Sequence, residues 1–410
     1  MDHPGPKKSV EAGLPDDALV EILSRLPVKA LHRSKCVAKA WRDLVDDPLH
    51  RSKLPQTLRG FLLLRDEIYG RWFQISGSNS GKGRGVGFLD LLPRSVPLEI
   101  DPCLTFLTKL PEIHRLLIKE SCNGLLLFEH YPPCELFLES QYIVCNPIME
   151  QWVTVPNPPR IDDCVAYVYL VFDPAVSPHF HLHQFWSHPC DEEEEEDDSD
   201  GDDIRYVTMV RVYSSETGRW TGSYWDEQEE QGELEEWRLQ GELPEPHKDG
   251  AVVQGMLHVL LTVDKIVVVD VQGKTRRTIA APVMTHRSDN QLEGRIFQSL
   301  GHLHYIVLKS NDEQDDEMSV WVLEDYNTED WVLKHTVSIM GLFELSHWGH
   351  DLVTIHPDCN VVFFCQPSKQ KLVSYNMDSK EVRVISISDE IRTVPYVPCF
   401  RELLSLNAKS

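Results

Sequence analysis

A pattern of two β-like runs joined by a turn occurs five times in this sequence. The five stretches span residues 142–152, 210–220, 266–276, 321–331 and 372–382. Each has a run rich in β-branched residues, a turn of Asn, Asp, Ser, Gly or Pro, and a second run, which is the pattern of a β-hairpin. The intervals between their ends are 68, 56, 55 and 51. The longest interval contains an acidic run from Asp191 to Asp203, and without that run it shortens to 55.

A steady period of this length restricts the folds that the chain can adopt. It is typical of four-stranded units repeated around an axis, so it favours a β-propeller, with a β-sandwich as the alternative. Three of the stretches end in tryptophan, namely Trp152, Trp220 and Trp331. We expect these three side chains to pack within the repeat. Residues 59–75 and 86–100 could supply a sixth unit, closed by strands near residues 396–400.

The first fifty residues have a helical pattern instead. Leu19, Ile22, Leu23 and Leu26 recur at the spacing of one helix face, and Pro27 ends that helix. A second apolar stripe comprises Val37, Ala40, Trp41 and Leu44, and between the two stripes Val28 and Leu31 fit a short helix or turn. We therefore predict a three-helix module over residues 14–56, preceded by a flexible tail over residues 1–13. Four basic residues lie here against the acidic trend of the chain, and they form either a solvated face or a docking surface for an acidic partner: Arg33, Lys35, Lys39 and Arg42.

Four short motifs in this module resemble the F-box of the large plant families. They are residues 14–17 (LPDD), 22–29 (ILSRLPVK), 35–37 (KCV) and 41–42 (WR). The resemblance implies binding to a Skp-family adaptor and, through it, to a cullin. Carried over residue by residue, the adaptor-facing and core positions are Leu14, Pro15, Leu23, Leu26, Pro27, Cys36, Val37 and Trp41. His32 and Ser34 depart from the family pattern, because apolar residues are common at those positions.

Residues 57–406 resemble an F-box-associated domain of plant proteins, here with a kelch-like repeat. The motifs that carry this resemblance are 122–126 (CNGLL), 145–147 (CNP), 212–215 (VYSS), 355–359 (IHPDC) and 395–398 (PYVP). The resemblance implies a domain that binds other proteins. Together the two resemblances imply the substrate receptor of a ubiquitin ligase, whose F-box holds the adaptor and whose β domain holds an unidentified target. A scaffold outside a ligase and a propeller-fold enzyme are the alternatives.

The charge balance narrows the choice of partners. The formal net charge is −25, and the run from Asp191 to Asp203 is acidic at every position except Ser199 and Gly201. An acidic chain does not favour broad binding to nucleic acids or to anionic membranes, since contact with phosphate requires a basic face. We expect residues 191–203 to form a solvated, disordered loop between strands, because they cannot bury enough apolar surface to offset the cost of ordering.

The cysteine pattern and the amino terminus bear on the compartment. The ten cysteines contain no CxxC pair, and no apolar segment follows Lys7 and Lys8 as in a secretory signal. No apolar run approaches the roughly 20 residues that a membrane-spanning helix needs. We therefore expect a cytosolic or nuclear protein.

Two clusters contain residue types found in phosphate-binding or zinc sites, but neither matches a known pattern for such a site. Glycines at 81, 83, 85 and 87 surround Lys82 and Arg84, but residues 88–93 do not read as a helix that could complete a phosphate site, so we predict a flexible loop. His179, His181 and His183 alternate ahead of His188 and Cys190, a spacing that matches no closed zinc site. We expect exposed strand histidines there, and the same at His302 and His304. The sequence thus predicts a non-catalytic protein without metal or cofactor.

Overall fold

The computed structural model divides the chain into two compact units, Met1–Thr57 and Leu58–Ser410. The structure describes residues 14–26, 28–47, 50, 53–54, 56–65, 86–91, 100–113, 115–131, 141–156, 158, 165–189, 205–223, 250–262, 265–282, 292–309, 317–339, 342, 351–366, 371–386 and 391–403. The amino-terminal tail, the acidic run 191–203 and the glycine tract up to residue 85 lie outside these ranges. Among the described helices, none is long and apolar enough to cross a membrane.

The described residues of the first unit form three helices: α1 (Asp16–Ser24), α2 (Val28–Ser34) and α3 (Lys39–Asp46). Pro15 immediately precedes α1, where a fixed φ suits a helix start, and Asp16 and Asp17 lie in the first turn next to the positive end of the helix dipole. The core of the unit consists of Leu19, Val20, Leu23, Leu31, Leu44, Val45 and Leu54.

The face of α1 that is buried differs from the predicted stripe. Leu19 and Leu23 are buried as expected, but Val20 is buried too, and Ile22 is 47% exposed. Successive helix residues are about 100° apart, so a small core can cover only a narrow arc of α1. That arc is centred on Leu19, Val20 and Leu23, and Ile22 lies at its outer edge.

In the part of the second unit that the structure describes there are 23 strands in six antiparallel sheets and one short helix, α4 (Thr105–Thr108). Blade 1 comprises β23 (Ile391–Tyr396), β1 (Gly60–Arg65) and β2 (Val86–Asp90). Blade 2 comprises β3 (Arg115–Cys122), β4 (Leu125–Tyr131), β5 (Gln141–Asn146) and β6 (Gln151–Pro156). Blade 3 comprises β7 (Val165–Val171), β8 (His181–Pro189), β9 (Arg205–Ser214) and β10 (Arg219–Ser223).

Three more four-stranded sheets complete the ring. Blade 4 comprises β11 (Gly250–Val253), β12 (Met256–Thr262), β13 (Lys265–Val269) and β14 (Thr275–Ala280). Blade 5 comprises β15 (Leu292–Ser299), β16 (His302–Lys309), β17 (Glu317–Asp325) and β18 (Asp330–Ser338). Blade 6 comprises β19 (Asp351–Ile355), β20 (Val361–Gln366), β21 (Lys371–Asn376) and β22 (Glu381–Ser386).

The blades are arranged as a closed ring. One edge strand of each blade contacts the corresponding edge strand of the next blade. These contacts join β11 with β15, β15 with β19, β19 with β23, β23 with β3 and β3 with β7. Between β7 and β11, Gly250 packs directly against the ring of Tyr169. Six hydrophobic clusters each combine side chains of two adjacent blades, so the apolar core lies between blades rather than between two stacked sheets. The predicted β-propeller is confirmed with six blades, and the β-sandwich alternative is wrong.

The repeated stretches of the sequence are the outer hairpins of blades 2 to 6. In each of them a residue with positive φ lies in the turn before the last strand: Glu150, Gly218, Gly273, Glu329 and Lys380. The anchors Trp152, Trp220, Trp331 and Val382 follow two positions later. In blade 4 the corresponding residue is Thr275, which pairs with Val269 across a bulge, so the predicted anchor Arg276 is wrong by one position. The turn of blade 4 is one position shorter than those of blades 2, 3 and 6, and the period alone does not show this.

Blade 1 is built from both ends of the domain. β1 pairs with β2 on one side and with β23 on the other, with Gly60 opposite Tyr396. The predicted sixth unit is therefore present, and its closing strand lies at 391–396 rather than at 396–400. Gly87, the last glycine of the tract, and residues 88–90 belong to strand β2 and not to a helix.

Candidate protein-interaction surface

Among the described residues of the helical unit, three large apolar side chains are not covered by its core. Leu14 is 60% exposed, Ile22 47% and Val37 67%. Leu14 stands just before α1, Ile22 lies on α1, and Val37 lies in the turn after α2. Leaving a large aliphatic side chain in water forgoes about 1.5–3 kcal/mol of burial each. A unit of this size that exposes three of them is suited to contact with a protein partner.

Basic side chains accompany these apolar residues. Arg33, Lys39 and Arg42 are exposed, and the Nε of Arg42 donates to the carbonyl oxygen of Lys35 at 3.4 Å. Directly after α1, the guanidinium of Arg25 pairs with the carboxylate of Glu21 one turn earlier. The described surface of this unit therefore combines exposed apolar groups with positive charge, which suits an acidic partner.

The structure separates the eight predicted adaptor-facing and core residues into two groups. Leu23 is fully buried, and Leu26 and Trp41 are partly buried against the same core. Leu14, Pro15, Cys36 and Val37 are exposed. Pro27 lies outside the described residues. Ile22 of the first predicted apolar stripe is also exposed, as are Val37 and Ala40 of the second. The available signal was that α1 carries more apolar residues than one narrow helix face can hold.

Ser34 is buried in spite of its polarity. Its Oγ donates to the carbonyl oxygen of Leu31 at 2.6 Å, so the hydroxyl is satisfied within α2. The departure from an apolar residue at this position therefore leaves no unpaired hydroxyl in the core.

The three repeated tryptophans lie in the propeller. Trp152, Trp220 and Trp331 occupy the outermost strands of blades 2, 3 and 5, and each is partly buried against a cluster shared with the preceding blade. Their contacts are internal to the ring.

The predicted histidine cluster is not an exposed strand face. His183 is fully buried, and its Nε2 lies 2.8 Å from the carbonyl oxygen of Asp270 in the next blade. Burial lowers the pKa of His183 to about 4. His304 is also buried, whereas His302 is exposed. The expectation of exposure was therefore wrong for His183 and His304, because β8 and β16 are interior strands covered on both faces by neighbouring blades.

Only part of this histidine cluster lies in the described residues, so metal binding is considered for that part alone. Within the described ranges no group of three or more His, Cys, Asp or Glu residues is placed to hold a metal ion. Cys190 and the side chain of His188 lie outside those ranges.

Comparison with known families places both units. A model of the F-box domain matches residues 12–53, and a model described as F-box protein At3g26010-like, beta-propeller, matches residues 89–400. F-box protein At5g07610 of Arabidopsis thaliana is 27% identical over 210 residues, which cover 50% of this chain and 44% of that protein. F-box protein At5g49610 of the same plant is 27% identical over 353 residues, covering 82% of this chain and 84% of that protein. This chain thus spans less than half the length of the first of these relatives and most of the second.

A helical unit with uncovered apolar side chains, followed by a six-bladed ring, defines a plant F-box protein with a carboxy-terminal β-propeller. Since the second family model covers more than half of the chain, the chain belongs to the At3g26010-like β-propeller family of F-box proteins.

Proposed function

We propose that this protein is the substrate receptor of a Skp–cullin–F-box ubiquitin ligase. The observation that carries the proposal is the contrast between the two units. Among the described residues, the small helical unit exposes three large apolar side chains, Leu14, Ile22 and Val37, whereas the much longer propeller exposes only four. The helical unit docks on a Skp-family adaptor, and the adaptor connects it to a cullin. The positive charge of Arg33, Lys39 and Arg42 favours an acidic adaptor surface.

The propeller binds the protein to be ubiquitinated. Its strands form a closed, rigid ring, and its connecting segments are free to vary without disturbing the cores. The chain itself performs no chemical step. Its contribution is proximity, because it holds a target lysine near an enzyme bound elsewhere in the complex. The complex works in the cytosol, the nucleus or both, without a metal or cofactor of its own and without nucleic acid or membrane as partners.

A full-length double variant tests this assignment. Leu14→Ala with Val37→Ala removes exposed apolar groups and leaves the helical core intact, so adaptor and cullin should no longer co-purify while the client is retained. The matched control is Val176→Ala with Val384→Ala, which removes two exposed apolar groups of the propeller. It should leave adaptor binding unchanged.

Two outcomes would contradict the proposal. Adaptor binding that survives the Leu14 and Val37 changes would mean that the uncovered apolar surface is not the docking site. Adaptor that co-purifies with the unaltered protein, but never with a cullin, would favour a scaffold outside a ligase.

A further inference from the structure

The segment that follows the last strand packs across the turns of two other blades. Residues 397–403, called here the carboxy-terminal latch, come directly after β23. Pro398, Cys399 and Leu403 of this segment are buried. Cys399 and Leu403 belong to the hydrophobic cluster between blades 2 and 3, although the strand that precedes them, β23, belongs to blade 1.

Asn146 provides the main polar contact with the latch. It is the last residue of β5 and is fully buried. Its Nδ2 donates to the carbonyl oxygen of Cys399 at 2.9 Å and faces that of Arg401 at 3.4 Å. Its Oδ1 accepts from the backbone N–H of Met149 at 3.4 Å. One amide therefore caps its own turn and holds the latch at the same time.

Gly124 provides the space for the latch. It has φ +94°, and a Cβ at this position would lie 2.4 Å from the Cβ of Cys399 and 2.5 Å from its backbone nitrogen. Only a glycine allows the latch to approach the β3–β4 turn so closely.

Two further contacts extend the latch outward. The backbone N–H of Leu403 donates to Oε1 of Gln151 at 3.2 Å, and Gln151 is itself buried. The Arg401 guanidinium donates to the carbonyl oxygen of Pro174 in the β7–β8 turn of blade 3. The latch thus bridges blade 1 to blades 2 and 3. Three sequence motifs that were found separately, at 122–126, 145–147 and 395–398, meet at or directly beside this one site.

We propose that residues 397–403 form a releasable latch that secures the closed propeller, and that its release frees β23 while blades 4 and 5 stay folded. The ring closes through β23, which lies at the opposite end of the propeller sequence from its partner β1, so this junction carries a large loop-closure cost. The latch contains no strand, so its release breaks no strand pairing, and segments of this kind open at a lower free energy than paired strands do. The latch contacts hold β23 in place after it has paired.

The test is hydrogen exchange of the full-length protein with two matched pairs of variants. Asn146→Asp keeps the oxygen that caps the turn and replaces the donor to the latch by a carboxylate oxygen. Its control is Asn376→Asp, since Asn376 caps the corresponding turn of blade 6 through Asp378 and Ser379. Gly124→Ala is paired with Gly301→Ala, which has φ +81° in the corresponding turn of blade 5 and nothing within 4 Å of an added Cβ.

The expected result is local. Exchange of the amides in 391–403 should rise about tenfold or more in Asn146→Asp and Gly124→Ala relative to their controls, because a buried hydrogen-bond donor or a required space has been lost. Exchange in β13 and β17 should not change. If the variants raise exchange in 391–403 no more than their controls do, the latch does not secure the ring. If all blades exchange faster together, the latch is simply part of one cooperative core, and the proposed independent release is wrong.

Discussion

Trp220 donates its indole N–H to the carbonyl oxygen of Pro156 at 2.7 Å, joining the outermost strands of blades 3 and 2. The same relationship recurs between Trp331 and Ala280 at 2.8 Å, joining blades 5 and 4. In both cases the donor lies near the start of one outermost strand and the acceptor at the end of the preceding one. Two of the three tryptophans that mark the sequence repeat, Trp220 and Trp331, therefore join neighbouring blades by a hydrogen bond.

Substitution of Trp220 or Trp331 should distinguish the stability contributed by the hydrogen bond between blades from that contributed by side-chain packing. Trp220→Phe or Trp331→Phe keeps an aromatic ring and removes the hydrogen bond, which should lower the free energy of unfolding by about 1 kcal/mol. Trp→Ala should cost more, yet less than the roughly 3–5 kcal/mol typical of a fully buried aromatic, because both side chains are only partly buried. Thermal and urea unfolding measure both changes. Equal losses for Phe and Ala would show that the hydrogen bond is the whole contribution.

Adjacent residues of α1 should have opposite effects on folding and binding. Leu23→Ala opens a cavity in the helical core, so it should destabilise that unit by about 2–5 kcal/mol. Ile22→Ala removes a half-exposed side chain and should leave the unit folded while weakening adaptor binding by about 1–2 kcal/mol. Circular dichroism and calorimetric titration with the adaptor give the two readouts. A stability loss for Ile22→Ala as large as that for Leu23→Ala would place Ile22 in the core instead.

Buried histidines should make the propeller sensitive to acid. Burial lowers the pKa values of His183, His258 and His304 to about 4, from about 6.5 in an unfolded chain. Below pH 6.5 the unfolded state binds protons that the folded state does not, so stability should fall as the pH drops from 6.5 towards 4. Urea midpoints between pH 7.5 and 4.5 measure this loss. His258→Gln should flatten the profile, and an unchanged slope would mean that His258 is protonated in the fold.

Glu120 should have the opposite effect to the buried histidines, because it should make the propeller less stable as the pH rises. Burial raises its pKa to about 8, although its carboxylate accepts a hydrogen bond from the backbone N–H of Leu170 in the next blade. Because the pKa of Glu120 is higher in the folded state, its contribution to the free energy of unfolding is greatest below about pH 4.5. That contribution is lost as the pH rises towards 8. Glu120→Gln should therefore remove the decline in stability between pH 7.5 and 8.5, where the three histidines are already deprotonated in both the folded and the unfolded state. A decline that persists in this variant would have to come from another group.

Deletion of the acidic run tests whether residues 191–203 are an insertion that does not belong to the repeat. Removing residues 191–203 from the connection between β8 and β9 should leave the melting temperature nearly unchanged, because the run is too polar to contribute a packed core. The full-length deletion variant would be compared with the unaltered protein by calorimetry. A large drop in melting temperature would show that the run is structural and that the regular interval obtained without it was a coincidence.

The sequence by itself determined the elements and their order. Alternating runs with turn residues defined the outer hairpins of blades 2 to 6, and their spacing defined a ring of repeats. Helical spacing and four short motifs defined the F-box. These features depend on residues close together in the chain, since strand and helix periodicities are local.

Only the tertiary structure decided which side chains are covered. Val20 packs in the core with side chains of α2 and α3, whereas Ile22 does not, and His183 is buried because blades 2 and 4 flank its strand. The bulge that shifts the anchor of blade 4 from Arg276 to Thr275 is a matter of pairing with β13. Asn146 and Gly124, both in blade 2, hold a segment from the far end of the propeller sequence. Contacts of this kind depend on how blades meet in space, and no local pattern of residues encodes them.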